Sequence, residues 1–124
     1  MGAGYLAGSF DLLNVKDVDL IEQAVRSCDR LVVGVFTDAH AEAVHGRVPV
    51  VPLTERLALV GHVRGVAEAV VHDEESTGPG ANGVLFAVAG EPAPVGSVVL
   101  SPNRDTASVA LRDALRPVRD EDVA

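Results

Sequence analysis

The stretch "GSFDLLNVKDVDLIEQA", Gly8 to Ala24, decides how the chain folds. It joins a short apolar run, "AGYLAGSF" (Ala3 to Phe10), to a segment in which Val18, Ile21, Ala24 and Val25 recur at helical spacing. A buried strand that leads through a polar turn into an amphipathic helix is one βα unit. The helix is expected over Asp17 to Ser27, with Asp17 or Asp19 as its cap.

The alternation continues outward. "RLVVGVFTD" (Arg30 to Asp38) is a β-branched run of strand length, and "AHAEAV" (Ala39 to Val44) a short helix behind it. "HGRVPVVPL" carries two prolines and a glycine and reads as a loop. From Thr54, a capping residue, "TERLALVGHV" repeats Leu57, Val60 and Val63 as a helix does, and "AEAVVHD" (Ala67 to Asp73) is a third strand. Strands and helices in that order imply right-handed crossovers and an α/β fold: a Rossmann-like, doubly wound parallel sheet. Beyond Asp73, "EESTGPGANG" is loop by composition, while "VLFAVAG" (Val84 to Gly90) fits a fourth strand or a short helix. "GSVVLSP" is strand-like and "DTASVALRDAL" (Asp105 to Leu115) a capped amphipathic helix, which gives one domain over 1–116 and a loose polar tail over 117–124.

Composition agrees and excludes some functions. A chain of 124 residues fits one domain with its own core, and 48% apolar with only 3% aromatic residues suits strands covered on both faces. The formal charge of −8, with no basic stripe, excludes nucleic acid as a partner. No apolar run approaches the roughly 20 residues of a membrane span. The lone Cys28 forms no internal disulfide and the N-terminus lacks a signal-peptide pattern, so the cytoplasm is the expected location. Nine of the ten basic residues are arginine; the only lysine, Lys16, lies in the opening stretch.

In such sheets ligands sit outside the carboxyl ends of the strands, where strand order reverses. A glycine there lets a phosphate approach the backbone, and the following helix N-terminus offers N–H groups and partial positive charge. An anion site is therefore expected near Gly8, Ser9 and Phe10. His40, His62 and His72 show no metal spacing with each other or with Cys28, so no metal site is expected and these histidines read as helix-surface or core residues.

"GSFDLLNVKDVDLIEQAVRSCDRLVVGVFTD" resembles the cytidylyltransferase-like nucleotidyltransferases, particularly glycerol-3-phosphate cytidylyltransferase and the heptose-phosphate adenylyltransferases. Their opening reads Gly-Thr-Phe-Asp-Leu-Leu and then His-x-Gly-His. The resemblance extends through "GRVPVVPLTERLALVGHVRGV" and covers about residues 4 to 72 well. It implies a homodimer and a reaction in which a substrate phosphate attacks the α-phosphate of CTP or ATP, with magnesium, releasing pyrophosphate. Such transfer depends on positioning and on donors that hold developing charge. It further implies ligand or phosphate contacts from Gly8, Ser9, Phe10, Asp11, Thr37, Asp38 and Arg56, with His45 in place of a lysine, and from Arg104, Thr106 and Ser108 in the last motif, which here lacks its glycine. Arg56 alternatively reads as a surface salt bridge with Glu55 or a neighbour.

Here the four signature positions read Asn14, Val15, Lys16 and Asp17. Asn14 donates from its amide but is neutral. Asp17 puts an anion where a triphosphate would lie, a repulsion of about 4 kcal/mol at a few ångströms and an effective dielectric near 20. Lys16 brings a mobile cation that meets a phosphate or neutralises Asp17. If Asn14, Lys16 and Asp17 are catalytic, Asp17 is the general acid or base, provided burial raises its pKa. The blander reading is an exposed Lys16–Asp17 ion pair with Asp17 capping the helix.

Three functions follow. One is a family member with a degenerate signature, repurposed for a small anionic or nucleotide-like ligand in a biosynthetic pathway. The second is a divergent active transferase using CTP or ATP and a metal. The third is a non-catalytic dimerising module. Loss of both histidines favours the first and third.

Overall fold

A computed structural model of the chain describes residues 2–76, 78, 83–91 and 93–102. Among these residues the elements run β1 (Ala3–Gly8), α1 (Val15–Arg26), β2 (Arg30–Phe36), α2 (Asp38–His45), α3 (Leu53–Gly61), β3 (Val66–His72), β4 (Val84–Val88) and β5 (Val98–Leu100). The expected helix over Asp105–Leu115 and the 116/117 boundary lie outside the described residues.

All four strand pairings are parallel and the order is β3-β2-β1-β4-β5. This is the Rossmann-like sheet expected from the alternation, with the order reversing on either side of β1. "VLFAVAG" resolves as a strand because it pairs with β1, Gly4 opposite Val84 and Leu6 opposite Phe86. Neighbours in register share a face, so Leu6, Val33 and Phe86 point one way and Tyr5, Val32 and Leu85 the other. The Leu6 face packs against Leu20, Ile21 and Ala24 of α1 and Val60 of α3, forming the main core. The Tyr5 face is crossed by the β3–β4 connection, where a β-carbon on Gly78 would lie 3.6 Å from Tyr5.

Helix starts depart from the sequence reading in instructive ways. α1 begins two residues earlier than expected because Asn14, not Asp17 or Asp19, is its N-cap, and Asp19 is buried. The N-cap of α3 is Pro52, not Thr54, and no side chain caps it. A proline needs no donor partner and its fixed φ suits an extended entry into the helix.

The loop that leads into α3 is held by Arg56, whose side chain is fully buried. Its Nε donates to the Val51 carbonyl at 2.9 Å, Nη1 to the carbonyls of Ser9 at 2.9 Å and Phe36 at 2.7 Å, and Nη2 to Asp38 Oδ1 at 2.7 Å. One guanidinium thus ties together the turn after β1, the end of β2, the start of α2 and the loop before α3. The planar fork serves several acceptors at once, which an ammonium does not. The surface pair with Glu55 is not what forms: the partner is Asp38, and the arginine is interior.

Arg56→Met removes the fork and leaves buried carbonyls unpaired, so stability falls by about 3 kcal/mol. Arg56→Lys recovers less than half of that loss. Urea denaturation of the three proteins checks both; a Met variant within 1 kcal/mol of the parent would contradict the clamp.

Candidate functional site

The turn from β1 to α1 is short and conformationally constrained. Phe10 and Leu12 sit at φ 50° and 54°, a left-handed region that costs non-glycine residues about 1–2 kcal/mol. Phe10 leaves the strand and folds its ring into the core, where a β-carbon on Gly8 would come within 3.1 Å of it. Gly8 therefore has a packing reason to be glycine, whatever approaches from outside.

The helix start that follows is closed on itself. Asn14 Oδ1 accepts from the N–H groups of Lys16 at 2.9 Å and Asp17 at 3.3 Å, and Asp17 Oδ2 accepts from the Asn14 N–H at 3.3 Å. The Asn14 amide nitrogen donates to the Leu12 carbonyl at 3.3 Å. This is a complete capping box, with Asp17 acting as the residue that reaches back. Three amides at the helix entrance are thereby engaged by the chain's own side chains.

A cleft of about 220 Å³ opens in front of this turn, lined by Gly8, Ser9, Phe10, Asp11, Asn14, Lys16, Asp17 and His45 among others. Beside it lies a second hollow of about 250 Å³ where Ser9, Asp11 and His45 meet Arg47 and Glu91. The structure thus gathers eight of the expected positions at the carboxyl end of β1. It does not gather the rest. Thr37 caps α2, its Oγ1 accepting from the His40 N–H at 3.1 Å, and Asp38 is the partner of Arg56. Asp11 lines the cleft, but its two carboxylate oxygens accept from the N–H groups of Val50 and Val51, each at 2.9 Å. Arg56 is sealed beneath the turn and presents no surface to a phosphate. Arg104, Thr106 and Ser108 lie outside the described residues.

A family model described as cytidylyltransferase-like matches residues 5–115. The chain belongs to this cytidylyltransferase-like family. It is similar to the bifunctional protein HldE of Acidiphilium cryptum and of Caulobacter sp., each 38% identical over 74 residues. Those matches cover 59% of this chain and 15% of the relatives' length. Among solved structures it is similar to a lipopolysaccharide core biosynthesis protein from Thermoplasma volcanium, with a TM-score of 0.67 at 17% identity, over 85% of this chain and 98% of that one. That likeness is one of fold.

Within this cytidylyltransferase-like domain the signature positions are those of the capping box. Two of them, Asn14 and Asp17, satisfy the helix end; Lys16, exposed, contributes the cationic side chain to the cleft. Arg47 and Glu91 were not singled out by sequence reasoning. Arg47 follows His45, the last residue of α2, by two residues, a signal that was present; Glu91 comes from the β4–β5 connection, distant in sequence. Around the two hollows stand Lys16 and Arg47 against Asp11, Asp17 and Glu91, so bound anions would meet carboxylates as well as cations. Among the described residues no group of three or more His, Cys, Asp or Glu is placed to hold a metal ion.

A second polar cluster lies on the Tyr5 face. The Tyr5 hydroxyl is 2.6 Å from His72 Nδ1, and the His40 ring stands edge-on to both Phe36 and His72, at 4.4 and 5.2 Å between centroids. Gly34 makes room for it, since a β-carbon there would collide with the Tyr5 hydroxyl. Burial pushes the His72 pKa down, with His40 adding to the effect and Asp73 opposing it; burial, then Asp73, pushes that of Tyr5 up. His72 is the last residue of β3, in the strand expected over Ala67 to Asp73, and is half-buried.

The depressed His72 value sets a pH dependence. Above the ordinary histidine value of about 6.5 both folded and unfolded His72 are neutral; below it the unfolded chain takes the proton first, so stability falls as pH falls. Thermal midpoints should decline from pH 6.5 to 5, with a shallower decline in His72→Gln. Separately, Asn14→Ala should cost about 1 kcal/mol by urea denaturation, the loss of a cap.

Proposed function

We propose that this cytidylyltransferase-like domain binds a small anionic or nucleotide-like ligand at the carboxyl end of β1, and that nucleotidyl transfer is not its reaction. The observation that carries this reading is the Asn14–Asp17 capping box. In the family's chemistry, as the resemblance implies it, two histidines at these positions donate to the phosphates. Here their replacements accept from the helix amides and from each other's backbone. A triphosphate would meet the Asp17 carboxylate and find those amides taken.

Lys16 and Arg47 support retention of an anion site, since both line the hollows in front of the turn and neither has an ion-pair partner among the described residues. A single phosphate or carboxylate between them is compatible with the nearby acidic groups; four charges of a triphosphate are much less so. The resemblance to enzymes of phosphorylated small molecules makes a biosynthetic pathway the proposed setting.

With magnesium, CTP or ATP, and glycerol 3-phosphate or a heptose phosphate, the protein should release no pyrophosphate above a blank; release that disappears in Lys16→Ala would overturn the reading. Calorimetric titration with inorganic phosphate and CMP should give binding that weakens at least tenfold in Lys16→Ala/Arg47→Ala, while a silent titration would favour a non-catalytic interaction module.

A further inference from the structure

A cavity of about 490 Å³ opens on the Tyr5 face and adjoins the cleft, sharing Ala7, Val88 and Glu91 with it. That volume is in the range of small-molecule sites. Its walls are largely apolar: Phe36, Val44, Leu85, Ala87 and Pro94 contribute, and Gly78 of the β3–β4 connection lines it as well.

Among the described residues the polar groups inside are few, and most are already occupied. The Tyr5 hydroxyl has one partner among the described residues, His72 Nδ1. That bond occupies Nδ1 and leaves Nε2 as the ring nitrogen open to a ligand, a donor in one tautomer and an acceptor in the other. No partner of Nε2 occurs among the described residues. Ser76 exchanges hydrogen bonds with Asp73, its Oγ accepting from the Asp73 N–H at 3.0 Å and donating to Oδ1 at 3.2 Å. What remains for a ligand among the described residues is His72 Nε2, the His40 ring, and Glu91 where the cavity meets the cleft.

We propose that this cavity seats the uncharged body of the ligand, and that this body is a flat aromatic or amide-bearing group with a hydrogen-bonding atom directed at His72 Nε2, not a polyhydroxylated sugar. A sugar would bring four or more hydroxyls to a wall that offers these three polar groups among the described residues, and each buried hydroxyl left unpaired costs about 1–3 kcal/mol. A flat ring instead packs against Phe36 and the His40 edge and needs one hydrogen-bond partner. The preference rests on the proposed function only for the placement of the anionic end; the choice of body stands on the cavity's own lining.

The test follows imidazole and backbone-amide NMR signals during titration with benzamide, phenyl phosphate and glycerol 3-phosphate. Benzamide should shift His40 and His72 saturably and leave the Lys16 amide in place. Phenyl phosphate should move all three and bind at least tenfold more tightly than glycerol 3-phosphate. Ala43→Trp, at an exposed position on the cavity rim, should abolish the benzamide shifts with the fold intact. His72→Phe, which keeps a ring but removes its nitrogens, should weaken benzamide at least fivefold while toluene still binds. Equal affinity for the two phosphates, histidines unmoved by benzamide, or variants that bind benzamide as the parent does would each overturn the inference. Benzamide binding with a Lys16 amide that no phosphate moves would sink the anion site and leave the cavity's preference standing.

Discussion

The guanidinium of Arg56 is the constraint on which the ligand-facing end of the sheet depends. The carboxyl ends of parallel strands leave carbonyls that have no continuing partner, and here those of Ser9 and Phe36 point toward the interior. Burying them unpaired would be costly, and burying an arginine without acceptors more so. Together they are complementary. Asp11 completes the arrangement from the other side, because Val51 gives its N–H to Asp11 and its carbonyl to Arg56. The loop before α3 is thus pinned at one residue by both charges, which fixes the floor of the cleft and the path on which Arg47 is carried.

This explains why family positions that look like ligand contacts have other duties. Asp11, Asp38 and Arg56 form the frame of the site, and their charges are turned inward or along the loop. Besides Asp11, the side chains that line the two hollows include Lys16, His45, Arg47, Asp17 and Glu91. The same division applies at the helix start. An N-terminus whose amides are capped by its own side chains is stable without a ligand, whereas one with free amides gains from an anion. The Asn14–Asp17 pair places this domain in the first condition.

Much of the fold was legible because its signals are local and repeated: β-branched runs of strand length, separated by helical spacing and by proline and glycine. Element ends were less legible. Asn14 outcompetes Asp17 as cap because only its oxygen lies where both following amides converge, and α3 starts at Pro52, whose carbonyl accepts from the N–H groups of Glu55 and Arg56. Of the site, the turn after β1 could be read from Gly8 onward. The inward direction of Arg56 could not, since a charged residue in a helix ordinarily faces water. Nor could the Tyr5–His72 pair, which joins residues 67 positions apart through the register of three strands.

The strand order has a consequence for how the molecule comes into being. β1 lies at the centre of the sheet yet is the first strand to be synthesised, and its partner β4 arrives some 80 residues later, Gly4 opposite Val84. The half built from β1, β2 and β3, with the Arg56 clamp and the cleft-side turn, rests on nearer neighbours in the chain and closes with less loss of loop entropy. The Tyr5 cavity needs β4 for one of its walls, so it is completed last. Until then the nascent chain carries one uncovered edge along its central strand, a template for any other extended segment within reach, and rapid delivery of β4 is what protects it.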